Sequence, residues 1–87
     1  MHARILIVDD DPRIRKVLTL GLEKAGYEVE ALGESEDVAR RLNRDGLEAD
    51  CVLLDIRMPG LSGLEILEQL HLKEPLTPVI MLTANSD

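Results

Sequence analysis

Short aliphatic runs that alternate with amphipathic segments constrain this chain more than any other feature. Ile5-Leu6-Ile7-Val8 holds four apolar residues, three of them β-branched, and suits a strand buried on both faces. Cys51 to Leu54 is a second such run, and Val79 to Leu82 a third. Between them lie segments with helical spacing and helical punctuation. Asp11-Pro12 supplies an N-cap followed by a proline at the first helical position. Ile14, Val17, Leu18, Leu22 and Ala25 then form one apolar stripe, and Gly26 fits the stop. Tyr27 to Leu32 alternates apolar and polar residues, as an edge strand with one solvated face does.

Ser35, Glu36 and Asp37 open a second helix with an apolar stripe at Val38, Ala39 and Leu42, and Gly46 ends it. Pro59-Gly60 breaks the chain, and Ser62-Gly63-Leu64-Glu65 reads as a capping box that opens a third helix. Its expected stripe is Leu64, Leu67 and Leu70 with Ile66 beside them, closed by Lys73 and Pro75. Strand, helix, strand, helix, strand, helix, strand with short connections implies a parallel sheet with right-handed crossovers. The expected fold class is therefore α/β, a doubly wound parallel sheet of order β-α-β-α-β-α-β, forming one domain over residues 1–87.

Composition narrows the function. Tyr27 is the single aromatic residue, so the core is aliphatic and stacked-aromatic platforms for single-stranded nucleic acid are excluded. Seventeen acidic against ten basic residues give a net charge of -7, which repels a phosphate backbone and argues against direct nucleic-acid binding. The lone Cys51 forms no internal disulfide, and no Cys/His spacing suggests zinc. No apolar run approaches the ~18 residues a membrane span needs, so no membrane partner is expected and the location is taken as cytoplasmic. His2, His71, Met58, Met81 and Tyr27 read as terminal, surface or packing residues, and the charge run from Arg40 to Asp45 as a solvated helix face.

Open α/β sheets place ligand sites at the carboxyl ends of their strands. Here the first aliphatic run ends in Asp9-Asp10-Asp11, the second in Asp55 and the third in Thr83. Asp11 is the helix cap. Asp9, Asp10 and Asp55 brought together would repel, by roughly 4 kcal/mol per pair at 4 Å and an effective dielectric of 20. Such a cluster needs a cation, protonation or a separating geometry. Carboxylates holding a hard cation that keeps its waters describe a Mg²⁺ site, and Mn²⁺ or Ca²⁺ could use the same oxygens.

Three motifs, Ile5 to Pro12 (ILIVDDDP), Val52 to Gly60 (VLLDIRMPG) and Val79 to Ala84 (VIMLTA), together resemble the receiver domain of two-component response regulators. Leu61 to Glu65 (LSGLE) also fits the start of that family's third helix, and the resemblance covers the whole chain. It implies that Asp55 is the phosphoacceptor, taking a phosphoryl group from a sensor histidine kinase or a phosphotransfer protein. It further implies that Asp10 ligates Mg²⁺ directly, Asp9 through water or as a second ligand, and the backbone carbonyl of Arg57 as the remaining protein ligand beside Asp55. Thr83 would be the switch hydroxyl, and Ala84 would bring its backbone N–H to the phosphate. A carboxylate can attack phosphorus to give an aspartyl-phosphate, and positioning with charge neutralisation supplies most of the catalysis.

The sequence also departs from that family. A full receiver has five strands and five helices, whereas these residues stop after the fourth strand, so the expected unit is a receiver truncated there, lacking the last helix-strand-helix and any output domain. The lysine that ends the family's fifth strand has no counterpart after Thr83. An exposed fourth-strand edge is a template for pairing, so a homodimer or element-exchanged oligomer is expected. Two functions compete: a phosphorylatable switch that is not a turnover enzyme, and a non-switching fragment that acts only in dimerisation or assembly. A Mg²⁺ phosphohydrolase of the haloacid dehalogenase type is disfavoured, because the second Asp it requires two residues after the nucleophile is replaced by Arg57.

Overall fold

The computed structural model describes residues 2–44, 46–56 and 63–82. It contains β1 (Arg4–Val8), α1 (Pro12–Lys24), β2 (Glu28–Leu32), α2 (Ser35–Arg44), β3 (Cys51–Asp55), α3 (Gly63–Lys73) and β4 (Val79–Leu82). All three strand pairings are parallel, and the order across the sheet is β2-β1-β3-β4. The chain therefore winds outward from β1 to β2, then reverses to β3 and β4. That reversal makes a topological switch point between β1 and β3.

Local chemistry explains the helix ends. Asp11 caps α1, its Oδ1 accepting from the Arg13 N–H at 2.9 Å, with Pro12 inside the first turn. The Arg13 N–H bond and the Arg13 guanidinium hold the Asp11 carboxyl below its usual range. At the far end Gly26 takes φ 101°, and the Tyr27 N–H returns to the Leu22 carbonyl at 3.0 Å. That turn leaves Tyr27 outside β2 and exposed, where packing had been expected. Gly46, at φ 77°, closes α2 through its N–H to the Arg41 carbonyl.

One face of the sheet carries Leu6, Val8, Val52 and Leu54 against Val38 and Leu42 of α2 and Ile66 and Leu70 of α3. Each such side chain contributes roughly 1.5–3 kcal/mol by leaving water. The other face is covered by α1, which lies over β1 and β2. No residue of α1 is fully buried, and Val17 remains 68% exposed although it was expected on the packed stripe. The physical reason is the width of the cover. Among the described residues one helix, α1, spans two strands of this face, and Ile80, which shares the α1 side with Leu53 through the β3–β4 register, is 52% exposed.

Two further expectations are corrected. Leu64 is 60% exposed, and α3 instead packs through Gly63, Ile66 and Leu70, the helix being rotated so that Gly63 backs onto the sheet. Arg41 is not on a solvated face. It pairs with Glu30 of β2 and donates from Nη2 to the Leu47 carbonyl at 3.0 Å, tying the loop after α2 to the sheet.

Candidate functional site

At the switch point the β1–β3 register places Val8 beside Leu54, so the residues that follow, Asp9 and Asp55, end adjacent strands side by side. Asp9 is only 3% exposed and is held at three points. Its N–H donates to the Leu32 carbonyl at 3.1 Å, one step beyond the β1–β2 ladder. Its Oδ1 accepts from the Asp11 N–H at 2.9 Å, and its carbonyl accepts from Arg15 Nη1 at 2.7 Å. Asp55 closes β3 and is 6% exposed, while Asp10 is exposed at the mouth.

Ligand oxygens of Asp9, Asp10 and Asp55 lie within 4.8 Å of one another. Asp55 thus comes together with Asp9 and Asp10, from which it is distant in sequence. At that separation and an effective dielectric of 20, the two buried carboxylates repel by on the order of 3 kcal/mol. The donor set is entirely hard oxygen, without His or Cys, and one member faces water. These residues fit a divalent cation that retains part of its hydration shell.

The backbone carbonyl of Arg57, the Thr83 hydroxyl and the Ala84 N–H, expected to complete the site, lie outside the described residues. Three contributors were not anticipated from the sequence. Arg15 reaches from α1 to the Asp9 carbonyl. Gly33, just beyond β2, lies under that guanidinium, where a Cβ would meet Nη1 at 2.6 Å. Gly63 lies against the backbone of Asp55 and Ile56. A glycine directly after a strand end is the available cue for such close approach, and Gly33 shows it.

Comparisons with known proteins agree with this architecture. A sequence profile of the response regulator receiver domain matches residues 5–87. The transcriptional regulatory protein ResD of Bacillus subtilis is 44% identical over 89 residues, a match covering 99% of this chain and 35% of ResD. The DNA-binding response regulator MtrA of Mycolicibacterium smegmatis is 34% identical over 87 residues, covering 100% and 37%. The chain spans about a third of the length of these relatives. Among solved structures, the response regulator TrrA of Thermotoga maritima, in complex with Mg²⁺-BeF, superposes with a TM-score of 0.86 at 40% identity, over 99% of this chain and 72% of that one. A CheY-like receiver domain protein of Methanospirillum hungatei gives 0.89 at 33% identity, over 100% and 68%. Among the described residues no helix is long and apolar enough to cross a membrane.

Proposed function

The chain belongs to the response regulator receiver domain family of two-component systems, and from that premise we propose that it is a phosphorylatable switch with Asp55 as the acceptor. The observation that carries this reading is the convergence of Asp9, Asp10 and Asp55 at the β1–β3 switch point. A carboxylate oxygen of Asp55 attacks the phosphorus of a phosphohistidine on a sensor histidine kinase or phosphotransfer protein. The P–O bond forms as the P–N bond breaks, and the departing imidazole nitrogen keeps the bonding pair and takes up a proton. The protein assists its own modification and does not turn over as an enzyme, and it works in the cytoplasm.

Asp10 would hold Mg²⁺ directly and Asp9 through water or as a second ligand, with Asp55 and the Arg57 carbonyl completing the protein share. Bound there, the cation neutralises charge on the three carboxylates and on the transferring phosphoryl oxygens. The crystallised TrrA carries Mg²⁺ with BeF, which supports the same choice of ion here. Asp9 is suited to a supporting role, since its Oδ1 already holds the Asp11 N–H. The Thr83 hydroxyl would donate to a phosphoryl oxygen and so bias the segment after β4, and the Ala84 N–H would approach the phosphate. After incubation with acetyl phosphate, intact mass should rise by a single phosphoryl group in Mg²⁺ and stay unchanged in EDTA, with peptide mapping placing the group on Asp55. Metal-independent addition, or modification elsewhere, would sink the proposal.

A second reading, a domain that serves assembly without switching, draws support from β4. Among the described residues its pairing partner is β3, and Ile80 projects half-exposed beside Leu53. We propose homodimerisation or element exchange through this edge. Sedimentation velocity should show a dimer that grows with concentration, and Ile80→Lys should return it to monomer. A monomer throughout the concentration range would remove the assembly role.

A further inference from the structure

We propose that Arg15 is a positioning residue for the carboxylate pocket, with its guanidinium lying over Gly33 and holding the peptide that joins Asp9 to Asp10. The inference rests on the switch reading above and adds to it a residue outside the carboxylate cluster. The Asp9 carbonyl belongs to the peptide between the two acids, so fixing its oxygen fixes the rotation that aims both side chains. Arg15 Nη1 donates to that oxygen at 2.7 Å, a short distance in keeping with a charged donor. The bond goes to the main chain and so leaves the carboxylate oxygens of Asp9 and Asp10 to their own partners.

Gly33 supplies the independent observation. Its φ is not in the left-handed region, so backbone conformation does not require glycine there. A Cβ at Gly33 would stand 2.6 Å from Arg15 Nη1, 3.0 Å from Cζ and 3.4 Å from Nη2, so an added methyl group would push the guanidinium tip aside while leaving the backbone in place. The bare Cα is thus a seat for the flat guanidinium. Through it one side chain of α1 joins the end of β1 to the connection after β2. Residues that orient metal ligands without touching the metal commonly cost 10–100-fold in affinity when removed.

The test is Mg²⁺ titration by calorimetry on the wild-type chain, Arg15→Met, Arg15→Lys, Gly33→Ala and the double variant Arg15→Met/Gly33→Ala, with thermal unfolding in EDTA alongside. Arg15→Met should weaken Mg²⁺ binding about tenfold, and Arg15→Lys should recover part of it, because an ammonium can reach the carbonyl but cannot lie flat on Gly33. Gly33→Ala should weaken binding in the same direction by displacing the guanidinium, and it remains informative if Arg15→Met does not fold. The double variant should be no weaker than Arg15→Met, since both changes break the same contact. Equal Mg²⁺ affinity in folded wild type and Gly33→Ala, or losses that simply add, would overturn the role of Arg15 while leaving the switch reading intact. A wild-type chain that binds no Mg²⁺ would overturn the switch reading itself, and this inference with it.

Discussion

Among the glycines of the described residues, Gly63 should tolerate an added methyl group least, and Gly63→Ala should be strongly destabilising. A Cβ at that position would stand 2.5 Å from the Ile56 Cα, 2.9 Å from the Asp55 carbonyl oxygen and 3.0 Å from the Ile56 carbonyl oxygen. All three are backbone atoms at the end of β3 and cannot swing aside as a side-chain tip can. The Gly63 N–H also donates to the Ile56 carbonyl at 3.1 Å, so retreat of α3 breaks a hydrogen bond and opens the contacts of Ile66 and Leu70. Overpacking of this kind costs about 3 kcal/mol. A domain of this size shifts its melting temperature by roughly 4–8 °C per kcal/mol, so a fall of about 12–24 °C is expected. Gly21→Ala provides the opposite sign within the same molecule. Gly21 lies in α1 with nothing within 4 Å of an added Cβ, and relieving a helix interior of glycine gains roughly 0.5–1 kcal/mol. Thermal unfolding of the two variants checks both statements, and a Gly63→Ala protein melting within a few degrees of wild type would contradict the first.

The same glycine shows where reading the sequence stops. Leu64, Ile66, Leu67, Leu70 and Leu72 place apolar side chains around most of α3, so periodicity alone does not choose the buried face. That choice is made by contact with the backbone of Asp55 and Ile56 at the end of β3, where glycine at position 63 lets the helix start so close. The strands themselves were legible, because runs such as Ile5 to Val8 carry their burial in local composition, and the ends of α1 and α2 were legible from Asp11, Gly26 and Gly46. The carboxylates were visible too, since Asp9, Asp10 and Asp55 close two aliphatic runs whose carboxyl ends face one crevice in a parallel sheet. Arg15 and Arg41 were not. Each looks like an ordinary helix-surface cation, and each finds its partner, the Asp9 carbonyl or Glu30 with Leu47, only after the sheet has brought distant segments together.

Asp55→Asn should have two effects of opposite character. With acetyl phosphate and Mg²⁺ the variant should take up no phosphoryl group, because the neutral amide oxygen is a poor nucleophile and would leave no stable acyl phosphate. In EDTA, however, it should melt higher than wild type. Asp55 and Asp9 are both buried, and at 4.8 Å and an effective dielectric of 20 their repulsion is on the order of 3 kcal/mol, part of which a near-isosteric neutralisation relieves. Adding Mg²⁺ should then narrow or invert the difference. A ligand at a hundred times its Kd stabilises the state that binds it by about 2.7 kcal/mol, and the wild-type cluster gains more of this than a cluster missing one charge. Glu68→Gln, a neutralisation on the exposed face of α3, should change neither labelling nor the response to Mg²⁺. Undiminished labelling of Asp55→Asn would move the acceptor to another residue. A variant that melts below wild type in EDTA would mean that the hydrogen bonds of the ionised Asp55 outweigh the repulsion, and that the pocket is organised before any cation arrives.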